Sequence, residues 1–174
     1  PADLNLPISS DSTNDSAATA APQTLETVYS DSSIIAVNKP AGLLSVPGKG
    51  QCVSALTLLR RMLPHAEGPL LAHRLDMSTS GLLLAAQTES MYHALQDLFL
   101  RHGIHKTYIA LVCPHADSPL LDGRQQGTIS LPLSPDFLDR PRQRVDHRHG
   151  KTAVTDYEVI GSQTDADGHT ILRL

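Results

Sequence analysis

In the sequence HRLDMSTSGLLLAA, at residues 73–86, a polar run is followed directly by an apolar one. The apolar half, residues 81–86, has the length and composition of a buried β-strand. The polar half then forms a loop at the end of that strand, where a side chain can reach a substrate while the packed core fixes its position. Asp76 is the candidate reactive group of this loop, because Arg74 and several hydroxyl groups lie close to it in sequence.

The same residues also allow a purely structural interpretation. The carboxylate of Asp76 can accept main-chain N–H groups of a turn, while Arg74 forms an ion pair at the surface. Residue types alone do not separate the turn from a reactive site, so both interpretations stay open at this point.

Outward from this loop, hydrophobic periodicity predicts two helices and several short strands. Apolar residues at spacings of three and four predict a helix over 53–63, and a second helix is predicted from Thr88, its N-cap, to a stop at Gly103. Together with residues 81–86, the predicted strands are 27–29, 34–37, 43–46, 106–113, 128–131, 153–160 and 170–174. This pattern predicts the α+β class, with a mixed, mainly antiparallel sheet and helices packed on it.

The chain of 174 residues is long enough for one domain of ordinary size. Residues 1–24 are rich in Ser, Asp, Ala and Thr without hydrophobic periodicity, so we predict a disordered tail there. Residues 25–174 are predicted to form the functional domain. Because residues 170–174 stop inside an apolar alternation without a cap, we expect the sequence to end in the middle of a strand.

Composition excludes several classes of protein. No apolar run approaches the ~20 residues of a bilayer span, and no secretory signal is recognisable, so we expect a cytoplasmic protein without a membrane anchor. The two cysteines, Cys52 and Cys113, fit neither a disulfide scaffold nor paired zinc ligands. The nine histidines lack a recognised ligand spacing, so no metal is predicted. A monomer is the default expectation.

The net charge of −4 argues against a nucleic-acid partner, but its distribution along the chain reverses that argument. Residues 1–31 hold five acidic side chains and no basic one. Residues 140–151 carry a basic cluster, opposed only by Asp146, whose members are Arg140, Arg142, Arg144, Arg148 and Lys151. Such a cluster can contact phosphates, or it can be a solvated loop whose arginines pair with Asp136 and Asp139.

Residues 73–82 resemble the HRLDxxTSG signature of the RluA-type pseudouridine synthases, which isomerise uridine in RNA. Residues 37–42, VNKPAG, resemble the strand and turn that precede the catalytic loop of that family, and residues 106–112, KTYIALV, resemble its KxYxAxV strand. Residues 140–158 are similar to a region of the branch that acts on large-subunit ribosomal RNA and tRNA. The resemblance covers residues 26–174 and implies the catalytic fold of the family, without the TGRxHQIR segment that follows in its pattern.

The resemblance also implies a role for individual residues. Asp76 matches the catalytic aspartate, which acts without a metal or organic cofactor. Arg74 matches the arginine that takes the place of the flipped base, and Tyr108 matches the aromatic residue that stacks on that base. His73 and Thr79 belong to the same substrate-binding loop, in which His73 shapes the loop rather than performing catalysis. The RNA-contacting residues are then Arg140, Arg142, Arg144 and Lys151.

The resulting hypothesis is an RNA pseudouridine synthase that acts on structured ribosomal RNA, tRNA or both through Asp76. One alternative is an RNA-binding fragment or pseudoenzyme without turnover, because the arginine of the TGRxHQIR segment is missing. Another is a hydrolase with an aspartate nucleophile, which requires a second carboxylate or a histidine base at a defined position. RNA is the expected partner in the first two cases.

Overall fold

The computed structural model describes residues 24–50, 53–68, 70–118, 120, 121, 123, 125–139 and 142–174. The predicted tail lies outside the described residues except for Thr24, and Arg140 also lies outside them. The chain divides into two compact units, of which the first ends at His105 and the second runs from Lys106 to Leu174. Whether residues 25–174 act as one functional domain stays a prediction.

The first unit is built on a three-stranded antiparallel sheet in the order β1-β2-β3. Its strands are β1 (Glu26–Ser30), β2 (Ile34–Lys39) and β3 (Gly81–Ala86). Asp31 closes the β1–β2 hairpin, because its Oδ1 accepts the N–H groups of Ser33 at 2.7 Å and Ile34 at 2.8 Å. These bonds hold the pKa of Asp31 below its ordinary value. The predictions of strands at 27–29, 34–37 and 81–86 are confirmed.

Two helices complete the first unit, α1 (Ala55–Met62) and α2 (Glu89–Leu100). Ser54 caps α1 in a reciprocal capping box with Thr57. Thr88 caps α2, as predicted. The predicted stop at Gly103 is displaced: α2 ends at Leu100, His102 adopts φ 54°, and the N–H of Gly103 donates to the Leu98 carbonyl at 2.8 Å. This is a Schellman motif in which histidine occupies the left-handed position.

The core of the first unit lies between one face of the sheet and α1. Alternate strand residues point to this face because side chains of a strand alternate between its two sides. The buried core residues of β2, β3 and α1 are Ile35, Val37, Leu83, Ala85, Ala55, Leu58 and Leu59. Burial of each leucine side chain contributes roughly 1.5–3 kcal/mol. Since Leu75 belongs to the same core, the loop that carries Asp76 starts from a fixed point.

The predicted strand at residues 43–46 is wrong. The carbonyl groups of Leu44 and Ser45 accept the N–H groups of Ala55 at 2.8 Å and Leu56 at 3.0 Å, which belong to the first turn of α1. The first N–H groups of a helix have no partner within the helix, so this segment satisfies them. The apolar pattern of the segment reflects packing against α1 rather than a place in the sheet.

The second unit contains two three-stranded antiparallel sheets, in the orders β4-β9-β8 and β6-β5-β7. Its strands are β4 (Leu111–Val112), β5 (Gln126–Pro135), β6 (Gln143–Val145), β7 (Lys151–Glu158), β8 (Gly161–Thr164) and β9 (Thr170–Arg173). The strand predicted at 106–113 is corrected to β4, since residues 106–109 join no ladder in the described part of the chain. Strands β6 and β8 have no counterpart in the prediction.

The predicted α+β class is confirmed, and every strand pairing described is antiparallel. In the described part of the chain, neither helix has the length and apolar character that crossing a bilayer requires.

Candidate active site

Asp76 lies on an exposed loop immediately before β3. A main-chain bond closes the turn that follows, because the N–H of Thr79 donates to the carbonyl of Asp76 at 3.1 Å. The structural interpretation required main-chain N–H groups on the carboxylate itself. Within the described residues, the side chain of Asp76 accepts no hydrogen bond, which leaves its two oxygens available to a ligand.

The residue before Asp76 is held by the buried hydroxyl of Ser45. Ser45 Oγ donates to the carbonyl of Leu75 at 2.6 Å and accepts the N–H of the same residue at 3.0 Å. Both residues are buried, with 3% of Ser45 and 8% of Leu75 exposed. One hydroxyl therefore pairs both main-chain groups of Leu75, as a neighbouring strand would.

The residue after Asp76 is held by Lys39 and Gly42. The carbonyl of Met77 accepts the Lys39 ammonium at 3.3 Å and the N–H of Gly42 at 2.8 Å. Gly42 has φ +83°, a conformation in which a side chain would be strained, so a glycine is needed for this N–H to reach Met77. The main chain on both sides of Asp76 is thus fixed while the carboxylate stays exposed.

Lys39 is fully buried, and its ammonium group donates three hydrogen bonds to main-chain carbonyls. Besides Met77, it donates to Pro40 at 2.9 Å and to Leu43 at 2.7 Å. Burial lowers the pKa of Lys39, and the negative charge of Asp76 partly opposes that shift. The site therefore combines an exposed carboxylate with a buried cation, and the charge of Asp76 favours the protonated, charged form of Lys39.

The remaining predicted residues of the first unit differ in their surroundings. Arg74 is exposed, with its side chain free to meet a ligand, and Thr79 is half-buried in the turn after Asp76. His73 is half-buried; its Nε2 accepts the N–H of Leu84 at 2.9 Å, and its ring stacks on Phe99 with centroids 4.6 Å apart. The first unit thus brings together four of the predicted site residues.

The second unit holds the other predicted residues. Tyr108 precedes β4 and is 56% exposed. Arg144 lies on β6 and Lys151 starts β7, and both strands flank β5. Arg142 directly precedes β6, and all three basic residues are exposed.

Two of these arginines form ion pairs, as the alternative interpretation of the cluster expected in part. Arg142 lies 3.0 Å from Asp139, and Arg144 lies 3.8 Å from Asp146, whose side chain is only 15% exposed. The Arg142–Asp139 pair is exposed on both sides, and such a pair contributes only about 0–1 kcal/mol, so a phosphate can displace it at little cost. Within the described residues, Lys151 has no ion pair.

A hydrogen-bonded turn at residues 146–150 connects β6, which carries Arg144, to β7, which starts at Lys151. Asp146 Oδ1 accepts the N–H groups of Arg148 and His149, each at 3.0 Å, and these bonds hold the pKa of Asp146 below its ordinary value. The N–H of Gly150 donates to the Asp146 carbonyl at 2.9 Å. A Cβ at position 150 would lie 2.4 Å from that carbonyl oxygen, so the turn requires glycine.

Among the described residues, one group of possible metal ligands occurs outside the predicted site. Asp165, Asp167 and His169 each offer a ligand atom, and these atoms lie within 4.8 Å of one another. The Oδ1 of Asp165 already accepts the N–H groups of Asp167 and His169, which is the ordinary hydrogen bonding of a tight turn. The β8–β9 turn accounts for these residues, and no metal is assigned to them.

The sequence did not reveal Lys39 and Ser45 as parts of the site. Lys39 ends β2, where a charged residue ordinarily faces solvent, and Ser45 lies in the segment that was predicted as a strand. The signal for Ser45 was a single hydroxyl inside the apolar run LLSV at residues 43–46. A polar group in such a run needs a buried partner.

Comparison with known proteins identifies the family. The RNA pseudouridylate synthase family matches residues 33–173. The "Dual-specificity RNA pseudouridine synthase RluA" of Yersinia pestis is 40% identical over 149 residues, which are 84% of this chain and 67% of that protein. The protein of the same name from Vibrio vulnificus is 39% identical over 153 residues, 86% of this chain and 58% of that protein.

The fold agrees with this result. The structure of "Human RNA Pseudouridylate Synthase Domain Containing 1" superposes with a TM-score of 0.66 at 22% identity, covering 87% of this chain and 58% of that one. The chain thus spans 58% to 67% of the lengths of these three proteins. The match in sequence over most of the chain and the shared fold show that this chain belongs to the RNA pseudouridylate synthase family.

Proposed function

We propose that this protein is an RNA pseudouridine synthase that converts uridine to pseudouridine in structured RNA, with Asp76 as its catalytic residue. The observation that carries the proposal is the exposed carboxylate of Asp76, whose flanking residues Leu75 and Met77 are both held through their main chains. A reactive group on a fixed backbone meets its substrate without first having to be ordered.

The reaction requires one bond to break and another to form. The bond from C1′ to N1 of the uracil is cleaved, the freed base rotates, and C1′ bonds to C5. The C5 proton then leaves and N1 gains a proton, so the reaction needs no oxidant, reductant or second substrate. Asp76 either attacks C1′ or removes the 2′ proton, and in both routes its negative charge stabilises the positive charge that develops on the sugar.

Three further residues serve the substrate in this proposal. Arg74 occupies the space that the flipped base leaves in the RNA helix, a step that costs a few kcal/mol of stacking and pairing. Tyr108 stacks on the target base, and its 56% exposure supports that role. Thr79, whose N–H closes the turn at Asp76, contributes to the same loop.

The basic segment supplies sequence-independent contacts to the RNA backbone. Arg142, Arg144 and Lys151 are exposed around β6 and the start of β7, and Arg140 belongs to the same group in sequence. Contacts of this kind position the RNA without reading its bases. The similar bacterial proteins are named as dual-specificity enzymes, and residues 140–158 resemble the branch that acts on large-subunit ribosomal RNA and tRNA. We therefore propose these two RNAs as the substrates. We also propose the cytoplasm as the compartment, as the sequence leads us to expect.

The test is release of tritium from RNA transcripts labelled at C5 of uridine, using large-subunit ribosomal RNA and bulk tRNA sequences as separate substrates. We expect the wild-type protein to release tritium and Asp76→Asn to reduce the rate by at least a thousandfold. Asp97→Asn is the matched control, since Asp97 is an exposed carboxylate of α2 that pairs with Arg101 at 2.8 Å.

A wild-type protein that releases no tritium from either RNA contradicts the proposed activity. Full activity in Asp76→Asn contradicts the assignment of the catalytic residue. RNA that contains 5-fluorouridine separates the synthase from the hydrolase alternative, because a synthase binds or rearranges that base and a hydrolase ignores it.

A further inference from the structure

His73 is placed where the loop of Asp76 leaves the sheet. Strand β3 pairs with β2 on one side only within the first unit. Along its other edge, the N–H of Ala86 donates to the Leu70 carbonyl at 2.8 Å and the N–H of Leu84 donates to His73 Nε2 at 2.9 Å. Residues 70–73 therefore run along this edge of β3. Leu70 accepts a strand N–H through its main-chain carbonyl, and His73 accepts the next one through its side chain.

The imidazole also contacts the helix that packs on β3. Its ring stacks on Phe99 of α2, with an interplanar angle of 28°. A stacked ring cannot rotate freely, so Phe99 keeps Nε2 directed at the edge of the strand. The ring thereby joins three parts of the first unit: β3, α2 and the start of the catalytic loop.

The hydrogen bond defines the chemical state of His73. A main-chain N–H donates only to a ring nitrogen that carries no proton, so Nε2 presents its lone pair and the imidazole is neutral. Ser45 and Lys39 bond to the main chain at Leu75 and Met77. Both of these residues follow the point where the chain turns away from β3. His73 is the contact that fixes this point, three residues before Asp76.

We propose that His73 is a positioning residue, whose Nε2 lone pair anchors the catalytic loop to β3 so that Asp76 meets the ribose in a productive geometry. This inference rests on the proposed function. It predicts an effect of His73 on the chemical step rather than on RNA affinity, because the ring is directed at Leu84 and Phe99. The resemblance implies only that His73 shapes the substrate-binding loop, and the structure identifies the acceptor atom and the strand through which it would do so.

Two substitutions separate the acceptor from the ring. His73→Gln places an amide oxygen near the position of Nε2 and keeps the acceptor, whereas His73→Phe keeps the stacking on Phe99 and removes the acceptor. In the tritium-release assay, we expect His73→Gln to retain at least a third of the wild-type kcat. We expect His73→Phe to lower kcat tenfold or more while KM changes less than twofold. His93→Phe is the control, since His93 is an exposed histidine of α2.

Hydrogen exchange gives a second readout that does not depend on activity. The amide of Leu84 is expected to exchange at least tenfold faster in His73→Phe than in wild type, and near the wild-type rate in His73→Gln. Equal loss of kcat in both variants, wild-type kcat in His73→Phe, or a change confined to KM overturns the inference. If the wild-type protein has no synthase activity, the proposed function fails, and exchange at Leu84 alone decides whether His73 anchors the loop.

Discussion

Replacement of Ser45 by alanine tests how the catalytic loop is held. The hydroxyl of Ser45 pairs with both main-chain groups of Leu75, at 2.6 Å and 3.0 Å, and both residues are buried. Its removal leaves one buried N–H and one buried carbonyl without a partner. Each unpaired buried group costs about 1–3 kcal/mol, so we expect Ser45→Ala to lower the free energy of unfolding of the first unit by about 3 kcal/mol.

The measurement must isolate the first unit, because the chain divides into two units and contains no tryptophan to report on either. Native-state hydrogen exchange at the fully buried residues Val37 and Leu83 serves this purpose. Tritium release, measured in parallel, is expected to show a lower kcat, because the main chain next to Asp76 loses its anchor.

The matched control is Ser54→Ala. Ser54 is also fully buried, and its side chain accepts the N–H of Thr57 as the N-cap of α1. Loss of a cap costs typically ~1 kcal/mol, without touching the loop of Asp76. If Ser45→Ala is no less stable than Ser54→Ala and the Leu75 amide keeps its protection, the hydroxyl does not hold the loop and our reasoning is wrong.

Three further predictions concern other contacts. Lys39→Met is expected to lower the free energy of unfolding of the first unit by about 2–4 kcal/mol, because the carbonyls of Pro40 and Leu43 lose a charged donor. Native-state hydrogen exchange at the same buried strand residues measures this, and wild-type exchange rates would contradict it. Gly150→Ala is expected to disrupt the pairing of β5 with β7, seen as faster amide exchange there, since its Cβ would clash with the Asp146 carbonyl oxygen. The fold lowers the pKa of Asp146 from 3.8, so the stability that this carboxylate contributes to the turn before β7 is present above pH 3.8 and is lost as the pH falls below it. Asp146→Asn should therefore weaken the pH dependence of amide protection in this turn below pH 3.8, and an unchanged dependence would count against this assignment.

The sequence predicted those elements whose signals are local. The spacing of apolar residues gave α1, Thr88 gave the start of α2, and the run at residues 81–86 gave β3. A helix is stabilised by contacts between residues three and four apart, so its pattern is visible in a short window. Asp76 was proposed as the catalytic residue in the same way, because its motif is contiguous in sequence.

Predictions failed where a strand needs a distant partner. The apolar pattern at residues 43–46 is that of a strand, yet the segment packs on α1 and caps its first turn. Residues 106–109 resemble a strand but join no ladder in the described part of the chain, and β6 is short because only three of its residues find a partner on β5. Strand pairing depends on register and neighbours, which no local pattern contains.

The residue pattern was enough to identify the family, to propose Asp76 as the reactive carboxylate and to predict most of the helices and strands. Only the folded structure shows which groups hold the main chain around Asp76. Ser45 reaches Leu75 across thirty residues, Lys39 reaches Met77 across thirty-eight, and His73 reaches Leu84 across eleven. These contacts join side chains to main-chain atoms, and every residue has the same main-chain atoms, so the sequence carries no mark of which residue will be the partner.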